Sequence, residues 1–136
     1  MTSPAASSLT DAECWRLLRG GSVGRVAVID EHSGIEIFPV NYVVEHGTIV
    51  FRTARGTKLS AVDHEPTVAF EVEGRSPEGT TESVVAIGQA EPITGRADLI
   101  DAFEIDLSTW VEASRPFFVR IVPASLRGSS PAVVLD

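Results

Sequence analysis

Arg52, Thr53, Arg55, Thr57 and Lys58 place five side chains able to bind an anion within one short stretch, and Lys58 is the only lysine among the 11 basic residues. An apolar run, Thr48 to Thr53, gives way here through Gly56 to an amphipathic run from Thr57 to Asp63. A strand that ends, a tight turn and a helix that begins leave free backbone N–H groups pointing outward, and the helix dipole favours negative charge beside them. A lysine in the first turn of a helix is disfavoured by that dipole unless a counter-charge is present. A ligand phosphate would supply the counter-charge. A solvated turn with ordinary surface charges is the simpler alternative.

Other chemistries find less support. His32, His46 and His64 fall in predicted turns beside acids, without the spacing of a zinc set. There is no Gly-x-Gly-x-x-Gly pattern, no Walker-type loop and no nucleophile elbow. Glu71, Glu73, Glu78 and Glu82 read as a solvated face. The single cysteine, Cys14, excludes an internal disulfide and lies in an apolar helical pattern, as a buried structural thiol would. A formal net charge of −8, with arginines scattered among more numerous acids, argues against nucleic acid as the main partner. No apolar run is long enough for a helix to span a bilayer. The first eight residues have neither a basic start nor an apolar centre, so a signal peptide is not expected and a cytoplasmic location is.

The elements that must position the basic stretch follow from periodicity. Thr10 to Glu13 has the form of a capping box, and Cys14, Trp15, Leu17 and Leu18 give one apolar face before Gly20-Gly21 ends the helix. From Gly24 the period changes to two. Val26 to Ile29 is a strand, Asp30 to Gly34 a turn, and Ile35 to Val44 a longer strand. Pro39 removes a ladder donor, so that strand must lie at an edge or carry a bulge there. Glu45-His46-Gly47 closes a hairpin into Thr48 to Thr53. After the short helix, Val68 to Glu73 and Thr81 to Ile93 are predicted strands, with a bend or bulge at Gly88. Leu99, Ile100, Phe103, Leu107 and Trp110 make the apolar stripe of a further helix. Phe117 to Val122 is the last strand, with Pro123 and Gly128 to Pro131 expected to end regular structure. About six strands joined by hairpins, in a chain of 136 residues, suit one antiparallel barrel with peripheral helices, because closure removes the exposed edges. The domain is expected over 9–128, with a frayed N-terminus over 1–8 and a C-terminal tail over 129–136.

With Pro39-Val40-Asn41-Tyr42 on one strand, Phe51-Arg52-Thr53 on the next and Gly56-Thr57-Lys58 opening a helix, the chain resembles the pyridoxamine 5′-phosphate oxidase-like family of FMN-binding split β-barrels. The resemblance runs from about Leu9 to Arg127. It is closest to the small flavin-binding and nitroimidazole-resistance-like branch common in actinobacteria. It implies a homodimer with two flavin sites at the interface. Arg52, Thr53, Thr57 and Lys58 would hold the FMN phosphate, and Val40, Asn41 and Tyr42 would line the isoalloxazine ring. Trp110 would approach from the partner subunit, although a tryptophan there also completes an apolar helical stripe.

The resemblance has a departure. Pyridoxamine-phosphate oxidases carry a basic C-terminal region that binds the substrate phosphate, whereas this chain ends in Ser125-Leu126-Arg127-Gly128-Ser129-Ser130-Pro131 and then apolar residues. Vitamin B6 oxidation is therefore not expected. Related actinobacterial branches use the deazaflavin F420 in the same cleft, and its anionic tail would also suit Arg52 and Lys58. The expected function is a flavin-dependent oxidoreductase acting on a small organic substrate. A protein that holds flavin or haem without turnover is the alternative. The cofactor would carry the redox chemistry, so no side chain need act as acid or base.

Overall fold

A computed structural model describes residues 7–53, 57–94, 96–103 and 117–132. In chain order the elements are β1 (Ser7–Ser8), α1 (Asp11–Gly20), β2 (Val23–Asp30), β3 (Gly34–Glu45), β4 (Thr48–Thr53), α2 (Thr57–His64), β5 (Thr67–Arg75), β6 (Thr81–Ile93), α3 (Ala97–Ala102) and β7 (Phe117–Ser130). The strands pair in the order β7-β4-β3-β2-β5-β6, and β6 pairs back to β7. Every pairing is antiparallel, and the result is a closed six-stranded barrel. Ser7 and Ser8 add a short outer strand against Ser130 and Ser129.

Turn chemistry fixes the hairpins. Asp30 Oδ1 accepts from the backbone N–H groups of His32 and Ser33 at 2.8 and 3.1 Å, holding the β2–β3 turn. His46 and Gly47 both have positive φ, 51° and 72°, as a two-residue hairpin turn that matches the twist of its strands requires. Between the turns, alternate residues point inward. Val26 and Val28, Phe38, Val40 and Tyr42, Ile49 and Phe51, Val68, Phe70 and Val72, and Val119 and Ile121 form one core. Each such side chain contributes about 1.5–3 kcal/mol when fully buried.

Helix α1 starts with the predicted capping box: Thr10 Oγ1 accepts from the Glu13 N–H at 3.2 Å, and the Thr10 N–H donates to Glu13 Oε1 at 2.9 Å. Its buried Cys14, Leu17 and Leu18 join the core. Helix α2 packs on β2 and turns Ala61 and Val62 into the same core. Strand β4 pairs β3 only over Tyr42–Glu45, leaving the earlier part of β3, including Pro39, without a β4 partner on that side. That is the edge position Pro39 calls for.

Gly88 marks the predicted bend. The β6–β7 register steps from Pro123 to Ser125 at this point, and a side chain at Gly88 would run into the Val122 carbonyl. The expectation that Pro123 ends the last strand does not hold. The bulge absorbs the proline, and β7 continues to Ser130. Among the described residues no helix is long and apolar enough to cross a membrane.

Candidate functional site

The outward face of β3 and β4 carries what the core does not use. Val50 and Phe118 pack there against Leu99 of α3 in a second cluster, with Val43, Ile93 and Phe103 at its margin. The Phe103 and Phe118 rings stack with centroids 5.5 Å apart. Helix α3 is fastened by charge. Arg96 places Nη1 and Nη2 on the two Glu45 oxygens, both at 3.0 Å, and Nη2 also reaches Asp98 Oδ2 at 2.7 Å. Arg120 of β7 adds Nη2 to Glu45 Oε1 at 3.1 Å. These hydrogen bonds, those of Arg96 first, hold the Glu45 carboxyl below its ordinary range against the opposing effect of burial.

This arrangement leaves a cleft of about 660 Å³ between the C-terminal end of α1, strands β3 and β4, and the end of α3. That volume lies within the usual range for small-molecule and cofactor sites. Asn41 and Arg52 sit in its wall, and Arg52 Nη2 donates to Asn41 Oδ1 at 3.0 Å. The Arg52 guanidinium also lies 5.9 Å from the centre of the Phe103 ring. Val43, Val44, Ala102 and Phe103 supply apolar surface. Arg19, Gly21 and Ser22, from the end of α1 and the link to β2, complete the lining. The Tyr42 N–H donates to the Ser22 carbonyl at 3.1 Å, which ties the end of α1 to the cleft strand.

Of the residues predicted from sequence, Asn41 and Arg52 come together in the cleft. Tyr42 borders it, but its side chain is 3% exposed and its hydroxyl donates to the Leu18 carbonyl at 2.6 Å. Burial pushes the Tyr42 pKa up to about 12, so the phenol stays protonated at neutral pH. Val40 faces the core and does not line the cleft. Thr53 ends β4 and is buried. Thr57 and Lys58 begin α2, and their side chains lie outside the described residues, as does Trp110. Arg19, Ser22 and Phe103 line the cleft without having been singled out for it. Only Phe103 carried a signal, as a member of an apolar stripe. Among the described residues no group of three potential metal ligands occurs.

Residues 10–130 match the sequence profile of the family described as pyridoxamine 5′-phosphate oxidase. Among curated proteins no match is found. Solved structures are similar over nearly their whole length. The FAD-binding protein of Mesorhizobium loti is 22% identical with a TM-score of 0.74, over 92% of this chain and 97% of that one. A proposed pyridoxamine 5′-phosphate oxidase from Corynebacterium glutamicum is 31% identical with a TM-score of 0.72, over 95% and 100%. The FAD-binding protein of Mycobacterium smegmatis is 29% identical with a TM-score of 0.66, over 93% and 98%. A closed split barrel and a profile match spanning all six of its strands lead to one conclusion: the chain belongs to the pyridoxamine 5′-phosphate oxidase-like family.

Proposed function

We propose that this protein binds a flavin in the cleft and uses it to oxidise or reduce a small organic molecule. The observation that carries the reading is the Asn41–Arg52 pair, set in a cleft lined in part by apolar residues on this fold. An isoalloxazine ring needs an apolar surface with a few polar contacts, and its phosphate needs cations and N–H donors. Val43, Val44 and Phe103 meet the first need. Arg52 supplies a cation for the second, and in sequence the start of α2, with Thr57 and Lys58, comes four residues after the end of β4. Two similar structures being FAD-binding proteins adds support for a flavin, and FMN is the smaller form that fits the same chemistry.

The cofactor, when bound, supplies the electron or hydride transfer. The chain's own groups bind and orient. The cleft holds no carboxylate or histidine among its lining residues, and the Tyr42 hydroxyl is committed to Leu18. Proton exchange is thus left to solvent and substrate.

We also propose that two copies associate through the outer face of β2, β3, β5 and β6. Ile35 and Ile37 are 72% and 67% exposed there, and Ala27, Ile29, Ala69 and Ile87 continue the apolar surface. Exposed contiguous apolar area of this kind marks an interaction site.

The test of catalysis is reoxidation. Reduced, flavin-loaded protein should pass electrons to a small organic acceptor faster than free reduced flavin does. A rate no higher than that of free flavin would favour a protein that only holds the cofactor.

A further inference from the structure

The cleft is positively charged in a chain that is not. The protein carries 19 acids against 11 bases, yet the residues lining the cleft include Arg19 and Arg52 and no acid. Three arginines outside the cleft are neutralised, Arg16 by Glu82, Arg96 by Glu45 and Asp98, and Arg120 by Glu45 and Glu91, while Arg25, Arg75 and Arg127 have no carboxylate partner among the described residues. Among the described residues, neither Arg19 nor Arg52 is paired with a carboxylate. Each is instead steadied by an aromatic ring. The Arg52 guanidinium lies over Phe103, and that of Arg19 lies 5.7 Å from the centre of the Trp15 ring.

The two cations come from elements that meet β3 along opposite edges, β4 for Arg52 and the α1–β2 junction for Arg19. Arg52 lies on β4 beside Asn41, one residue before the strand ends. Arg19 lies in the last turn of α1, joined to β3 through Ser22 and Tyr42. Resting on the flavin reading, the cofactor phosphate takes the Arg52 side, and the second cation is left for another anion. Its position in the last turn of a helix explains why an arginine is tolerated there. It does not explain why both unpaired guanidiniums line one cleft with no acid between them.

We infer that Arg19 is a specificity-determining residue that binds the carboxylate of an anionic organic substrate at the end of the cleft opposite the cofactor phosphate. A guanidinium suits this role because its planar fork matches a carboxylate with two parallel hydrogen bonds. Low-dielectric walls such as Phe103 and Val43 strengthen the attraction relative to open water.

Benzoate and benzamide test this, because they share size and shape and differ in charge. On FMN-loaded protein, with the flavin's visible spectrum as the readout, benzoate should bind more tightly than benzamide. Arg19→Gln should weaken benzoate by roughly tenfold or more, the scale of a hydrogen bond to a charged group. It should leave benzamide and FMN affinity unchanged, and Arg19→Lys should restore part of the loss. Equal affinity of wild-type protein for the two probes would overturn the inference, as would an equal loss for both in Arg19→Gln. A fall in FMN or FAD affinity in that variant would assign Arg19 to the cofactor and also overturn it. If the wild-type protein takes up no flavin, the cofactor reading fails by itself. Calorimetric titration of cofactor-free protein with the same two probes then still decides the role of Arg19.

Discussion

The Tyr42 hydroxyl donates to the Leu18 carbonyl at 2.6 Å, joining the strand that walls the cleft to the last turn of the helix that carries Arg19. Both partners are buried, so Tyr42→Phe leaves the Leu18 oxygen without that donor at a cost of about 1–3 kcal/mol. Urea unfolding at neutral pH should show this loss. The pH dependence carries a second signature. The Tyr42 pKa is raised from 10.0 to about 12, so the stability it contributes is fully present below pH 10 and is lost as pH rises through about 12. Tyr42→Phe should remove that alkaline decline.

Glu45 works in the opposite direction. Its carboxyl is held below 4.5, chiefly by the hydrogen bonds from Arg96, with those from Arg120 adding to them. The stability it contributes is therefore present above pH 4.5 and lost as pH falls through the lower, folded value. Thermal melts of Glu45→Gln should show lower stability at pH 7 and a shallower fall on acidification than the wild type. Because Glu45 anchors Arg96 at the start of α3, hydrogen exchange in 97–103 should rise more than in β5. Uniform exchange across both would contradict the anchoring role.

Gly24 lies under the ring of Phe70, where any Cβ would overlap the ring atoms. Phe70 is fully buried and meets Tyr42 edge-on at 4.9 Å, so it has little room to yield. Gly24→Ala should destabilise the barrel by about 1–3 kcal/mol, the usual scale of overpacking. Chemical denaturation measures this directly.

The outer apolar face makes a prediction about assembly. Ile37→Lys places a charge on the β3 face proposed to meet a second copy, while the inward-facing neighbours Phe38 and Val40 are untouched. Sedimentation should find wild-type dimers and variant monomers with the same far-UV circular dichroism. Wild-type monomers at micromolar concentration would contradict the proposed interface.

The barrel is legible in the sequence because period-two alternation and turn residues act locally. Asp30 and His46-Gly47 each impose a backbone geometry that needs no distant partner. Pro123 misleads for a non-local reason: the bulge opposite Gly88 absorbs a proline that would otherwise end a strand. The Asn41–Arg52 pair can be anticipated because a hairpin brings the two strands together. Arg19 cannot, since in sequence it is an ordinary cation in the last turn of a helix. Only the packing of α1 onto the barrel brings it to the cleft. Val40 shows the limit of inferring orientation from a motif, because strand alternation sends its side chain into the core between the outward Pro39 and Asn41.

Flavin titration of the purified, cofactor-free protein tests the central claim most directly. The wild type should bind FMN or FAD at micromolar concentration or tighter, with a shifted flavin spectrum. Arg52→Ala should weaken that binding by about 1.5–3 kcal/mol, as the loss of a hydrogen bond to a charged group does. Wild-type protein that leaves the flavin spectrum unchanged at saturating concentrations would contradict the assignment of the cleft.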